Sequence, residues 1–178
     1  MKRWQIVMLL GGLLLTLAVV DGLVFARERL LRDGQVVLLE LAPVDPRSLM
    51  QGDYMALDYA LTRELTTAGV GNTADESREN EDGYAILALD TNGVARLVRE
   101  QATASPRDAG QIALEVRRRG YRVVIASNAW FFAEGTAARY ESARYGELRV
   151  SDGGHALLTG LRDAAFKPLS AASQPPAD

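Results

Sequence analysis

The sequence predicts a mainly β domain of antiparallel hairpins, roughly eight strands with one short helix, preceded by an N-terminal transmembrane helix. Three observations carry that expectation. Positions 4–26 are apolar almost without interruption. Beyond residue 34, short β-rich runs alternate with Asn-Gly, Arg-Gly and Gly-Gly turns. No cysteine is present, so an exported domain must be held by its core alone, and 48% hydrophobic residues suffice for one.

Lys2 and Arg3 precede the first run, which is apolar except for Gln5, Thr16 and Asp21. About 20 apolar residues cross a bilayer core, so residues 4–26 are long enough. The unbroken stretch 6–20 is shorter and also suits a signal peptide, with Val24-Phe25-Ala26 as a cleavage site. The apolar run resumes after Asp21, and bulky Phe25 sits beside the cut, which favours an uncleaved signal-anchor over residues 1–26. Asp21 is expected near the outer end, where a carboxylate reaches the interface at modest cost. A soluble helix would instead have to hide apolar side chains all round. Lys2 and Arg3 favour a cytoplasmic N-terminus, while Arg27, Arg29 and Arg32 oppose it. A short tail before a single apolar run decides for N-inside.

Residues 27–34 read as a charged helical stub or juxtamembrane linker ending at Gly34. Residues 35–42 form an apolar, β-rich run expected to be buried on both faces. Pro43 and Pro46 impose a turn. A strand is expected over 53–62, with Met55, Leu57, Tyr59 and Leu61 on one face and Tyr54, Ala56, Asp58 and Ala60 on the other. Residues 69–83 are polar and acidic, so a surface loop follows. Hairpins are expected from 84–89 with 94–99, from 112–116 with 121–126, and from 147–151 with 155–161. One alanine-rich helix is expected over 136–145, with Thr136 as its N-cap. Residues 35–167 thus form one extracytoplasmic domain, and proline-rich residues 168–178 a disordered tail.

The octapeptide Gly52-Asp53-Tyr54-Met55-Ala56-Leu57-Asp58-Tyr59 reads G-D-Y-x-x-L-x-Y. Upstream stands Val44-Asp45-Pro46-Arg47. Downstream stand Phe131-Phe132-Ala133-Glu134-Gly135, Arg139-Tyr140, Arg144-Tyr145-Gly146-Glu147 and Leu157-Leu158-Thr159-Gly160-Leu161. Together these resemble the GDYXXLXY family of bacterial membrane-associated proteins over most of residues 35–162. The resemblance implies a location: a periplasmic domain on a single-pass anchor in the bacterial inner membrane, sometimes met with polytopic membrane partners. The family offers no agreed catalytic residues to transfer.

The residues themselves offer few chemical constellations. Asp45, Asp53 and Asp58 could form a carboxylate cluster, since paired carboxylates can divide acid and base roles. Asp53 and Asp58 are odd-spaced on one strand and so point to opposite faces. The competing reading has Asp53 satisfying loop amides and Asp58 solvated. Tyr59 is expected in the core with its hydroxyl bonded, and Tyr54 outside as a contact residue. Trp130-Phe131-Phe132 before Glu134-Gly135 could edge a groove or form an inner strand. The spacing of Glu134, Glu141 and Glu147 supports no glycosidase over surface placement. Arg117, Arg118, Arg119 and Arg122 could meet anionic headgroups or simply line a solvated turn.

His155 is the only histidine, and no Gly-x-Ser-x-Gly elbow accompanies it. No histidine pair is available for a metal, and no glycine-rich phosphate loop is present. A net charge of −3 provides no basic surplus for nucleic acid. The expectation is therefore a non-enzymatic, cofactor-free binding or accessory module for a membrane partner, with Asp45, Gly52, Asp53, Tyr54, Leu57, Tyr59, Glu134 and Gly135 as its motif and contact residues. A periplasmic hydrolase or small-ligand binder built on Asp45 and Asp53 is the alternative.

Overall fold

A computed structural model describes residues 3–42, 50–51, 54–71, 82–120 and 122–169. The chain divides into two compact units, Met1–Gly34 and Gln35–Asp178.

The first unit is one helix, α1 (Arg3–Asp33). At 1.5 Å per residue it is about 46 Å long. Its segment Leu10–Asp33 is long and apolar enough to cross a membrane, and none of that segment is buried within the protein. The helix continues through residues 27–33, and the Gly34 amide still donates to the Leu30 carbonyl.

The second unit is mainly β, as expected. Its strands are β1 (Gln35–Glu40), β2 (Met50–Gln51), β3 (Tyr54–Ala56), β4 (Gly83–Leu89), β5 (Ala95–Gln101), β6 (Gln111–Arg119), β7 (Arg122–Val124), β8 (Ala129–Phe131), β9 (Tyr145–Val150) and β10 (Ala156–Arg162). They make three antiparallel sheets in the orders β1-β9-β10, β2-β3-β8 and β5-β4-β6-β7. A parallel bridge between Leu38 and Val94 joins the first sheet to the last. Val37, Leu38 and Leu39 are all buried, so β1 is covered on both faces. Val37, Leu39, Leu148, Val150 and Leu161 from one sheet meet Ala85, Leu87, Ile112, Leu114 and Val116 from the other in a single core.

The three hairpins form where the turn chemistry places them. Asp90 accepts hydrogen bonds from the amides of Asn92 and Val94, and Gly93 takes φ 81°, which only glycine adopts freely. Gly154 (φ 90°) closes the last hairpin hard against Tyr84, whose ring lies 2.9 Å from where a Cβ would stand.

Three element assignments differ from expectation. The strand expected over 53–62 ends at Ala56, and Ala60–Gly71 is a helix, α2. Leu61 and Leu65, one turn apart, are both buried, and the run ALTREL favours a helix. A few apolar residues in sequence fit period 2 and one helical turn equally well. Gly69–Gly71, expected in a loop, complete this helix, while residues 72–81 lie outside the described residues.

The helix expected over 136–145 is one 3-10 turn, Ala137–Arg139. The Thr136 hydroxyl donates backwards to the Ala133 carbonyl and caps no amide. Tyr140 is 3% exposed against Trp130 and Phe132, and Tyr145 already belongs to β9. Burial of Tyr140 outweighs the helix propensity of the alanines. Finally, Pro168 and Leu169 are not tail: Pro168 bridges to Arg162, and the Leu169 amide donates to the Leu161 carbonyl. Residues 170–178 lie outside the described residues, as do Pro43 and Pro46.

Candidate functional site

The described part of the octapeptide runs from β3 to Tyr59, the residue before α2, and it faces two ways. Met55, Leu57 and Tyr59 are buried, at 3%, 7% and 2% exposure. Tyr54 is half-buried and Ala56 exposed. The inward alternation thus continues past the end of the strand. Asp45, Gly52 and Asp53, expected as contact residues, lie outside the described residues.

Tyr59 is fastened at three points. Its hydroxyl donates to the Ser127 carbonyl at 2.8 Å, in the segment that follows β7. Its backbone bridges Leu41, just beyond β1. Its ring lies against Gly146 of β9, where an added Cβ would meet the ring at 3.0 Å. Neighbouring motif residues extend the seam: Ala42 donates to the Asp58 carbonyl, and Leu57 donates to that of Asn128. The inward half of the motif is therefore a structural joint between two sheets and α2. It also explains Gly146, since any larger residue there intrudes on a fixed aromatic ring.

Burial pushes the Tyr59 phenol above its ordinary value of 10.0. Above about pH 10 the unfolded chain releases this proton while the native chain keeps it, so stability falls as pH rises. The expected slope is about 1.4 kcal/mol per pH unit above that point. Alkaline unfolding of the full-length protein in detergent checks this, and Tyr59→Phe should remove the Tyr59 share of the slope.

Asp58 is held by an arginine, while Asp45 and Asp53, the other members of the expected carboxylate cluster, lie outside the described residues. Arg63 Nε and Nη2 both donate to Asp58 Oδ2, at 2.9 and 2.7 Å. The pair sits half-exposed beside the first turn of α2, where a carboxylate also suits the helix dipole. It lines an open groove of about 650 Å³ between α2 and β7, together with Arg122 and Asn128. Among the described residues no group of three His, Asp or Glu side chains comes together to hold a metal ion.

The outward side of the motif carries one aromatic among the described residues, Tyr54. Tyr54 pairs in register with Phe131 of β8, ring centroids 5.8 Å apart and tilted by 40°. Phe131 is 73% exposed, whereas its neighbours Trp130 and Phe132 turn inward onto Tyr140. Sequence reasoning grouped the three aromatics and did not single out Phe131. The alternation of β8 was the signal, with the middle residue facing away from its neighbours. Glu134 and Gly135 occupy the turn Ala133–Thr136 that follows, with Gly135 at φ 76°. Glycine is required there by the backbone, and Glu134 is an exposed turn residue.

Several of the remaining charged candidates are paired. Arg117 meets Glu115, Arg118 meets Glu100 and Arg119 meets Asp82, so the arginine tract is largely neutralised. His155 Nδ1 lies 2.7 Å from Glu115 Oε2, and the Glu115 amide donates to the Gly154 carbonyl, so side chain and backbone together fasten the last hairpin to β6. Glu147 binds Arg162 at 2.6 Å across β9 and β10.

No curated protein and no solved structure matches this chain. A family model described as GDYXXLXY protein matches residues 16–161, which covers the second half of α1, the motif, the Phe131 strand and both strands of the last hairpin. The chain belongs to the GDYXXLXY family.

Proposed function

We propose that this chain is a single-pass, membrane-anchored accessory module of the bacterial inner membrane. Its periplasmic β domain binds a membrane protein partner and performs no chemistry of its own. The observation that carries this is the Tyr54–Phe131 pair. The motif's outward aromatic is matched, in register, by an aromatic ring that the fold leaves 73% exposed. Cross-strand aromatic pairs stabilise a sheet, but a large ring left exposed is a feature of contact surfaces. The apolar, unburied helix α1 supports a tether in the bilayer. The half of the motif directed inward explains the fold, and the half directed outward is left for a partner.

Crosslinking of tagged full-length protein in native membranes tests the proposal. Recovery of one polytopic membrane protein supports it, provided recovery falls at least tenfold with Phe131→Ala. That substitution should change stability by no more than about 0.5 kcal/mol, because little is buried there. Recovery of background alone would refute the accessory role and favour the small-ligand binder or hydrolase.

A further inference from the structure

We infer that the groove between α2 and β7 takes an extended, acidic segment of a partner protein, which adds as a strand to the free edge of β7 and sets an Asp or Glu side chain against Arg122. This rests on the proposed accessory role and gives it a second contact of stated chemistry.

β7 is the last strand of its sheet. Arg119 pairs with Arg122 across a two-residue turn, followed by Arg118 with Val123 and Arg117 with Val124. The closing pair of such a hairpin exchanges both backbone bonds and the pairs then alternate, so Arg122 and Val124 turn theirs toward β6. Val123 and Ile125 are buried on either side of half-buried Val124, so the alternation runs on to Ile125. The amides and carbonyls of Val123 and Ile125 therefore point away from β6, on the side of the groove that both residues line. Among the described residues no other segment bonds to them. From Ser127 onward the same edge is occupied. The Tyr59 hydroxyl donates to the Ser127 carbonyl, and the Leu57 amide to that of Asn128. The motif segment thus closes one end of the edge and stops short of 123–125. An unpaired edge beside an open groove is a template for a further strand. Positions 122–125 span about 13 Å when extended, room for about four residues of a partner.

Charge selects the segment. Arg117, Arg118 and Arg119 each meet a carboxylate, and Arg63 meets Asp58. Arg122 is exposed, lines the groove, and has no ion pair among the described residues. Two guanidiniums and one carboxylate thus line the groove and leave it one positive charge in surplus. A small anion would satisfy Arg122 and leave the edge of β7 unpaired. An acidic strand satisfies both.

The test places a photoreactive phenylalanine analogue at Thr67, exposed on the α2 bank of the groove, in full-length protein in native membranes. Val98, exposed on the opposite edge strand of the same sheet, is the control position. We expect an adduct from position 67 that maps to a run containing Asp or Glu in another protein, and none from position 98. Arg122→Glu should lower the yield at least tenfold, and Arg122→Lys should keep most of it. Both should hold the unfolding midpoint within about 2 °C, because the side chain is exposed. Replacing the acidic residue of the captured run by Lys should restore capture by Arg122→Glu. Proline stepped through that run should cut the yield at every second position, since only alternate amides face β7.

Undiminished yield with Arg122→Glu, a captured run without Asp or Glu, indifference to proline, or adducts only within the chain, with a second copy or with lipid would each overturn the inference. The same analogue at Phe131 separates the two failures. A partner captured from 131 but not from 67 refutes this inference alone, whereas capture from neither position also refutes the accessory role.

Discussion

Replacing Tyr59 by alanine should cost about 3–5 kcal/mol, the range for removing a buried aromatic from a core. For a domain of this size that lowers the unfolding midpoint by roughly 10–20 °C. The ring is 2% exposed and packs on Gly146, its hydroxyl binds the Ser127 carbonyl, and its backbone bridges Leu41. The substitution therefore opens a cavity where three segments distant in sequence meet. Tyr59→Phe removes only the hydroxyl bond and should cost about 1 kcal/mol. Thermal unfolding of full-length protein in detergent, followed by circular dichroism, measures both. If Tyr59→Ala unfolds within a degree or two of the wild type, the motif does not hold the sheets together.

Gly146→Ala should show an effect whose sign depends on Tyr59. In the wild type the added methyl meets a ring held at both ends, so the substitution should cost about 1–3 kcal/mol. In a Tyr59→Ala background the obstruction is gone. Alanine is then preferred over glycine in a strand, by roughly 0.5–1 kcal/mol, and the same substitution becomes neutral or stabilising. The double-mutant cycle isolates this contact from the rest of β9. Equal costs in both backgrounds would show that the ring and the glycine do not constrain one another.

These two residues also show what the sequence could and could not disclose. Tyr59 was legible as a core residue because it shares a two-residue period with Met55 and Leu57, and all three are buried. Gly146 was visible only as part of a family segment. Its role depends on contact with a residue far away in sequence, which no local pattern encodes. Hairpin turns were legible because Asn92-Gly93 and Gly153-Gly154 carry their backbone requirements with them. Helix α2 was missed because its first residues continue the alternation of β3, and the helical pair Leu61 and Leu65 is a single turn long. The helix expected around Tyr140 was lost to aromatic packing with Trp130 and Phe132.

The candidate contact surface divides along the same line. Tyr54 was identified as the outward member of the motif from strand alternation alone. Phe131 could be recognised only once β3 and β8 were seen to pair, because the register sets their rings side by side. Asp58, one of the suspected carboxylates, acquires Arg63 only through the first turn of a helix the alternation concealed. The charged tract at 117–119 looked like a basic patch because its carboxylate partners Glu115, Glu100 and Asp82 are spread over three segments.

The division of the motif into a structural inner half and a contact outer half can be measured on two variants side by side. Phe131→Ala and Tyr59→Phe are introduced separately into full-length protein, and each is scored for unfolding midpoint and for crosslinking yield to the membrane partner. Phe131→Ala should keep the wild-type midpoint within about 2 °C and lose at least tenfold in yield. Tyr59→Phe should lower the midpoint while keeping the yield at temperatures where it remains folded. A Phe131→Ala protein that captures its partner at the wild-type level would contradict the proposal directly.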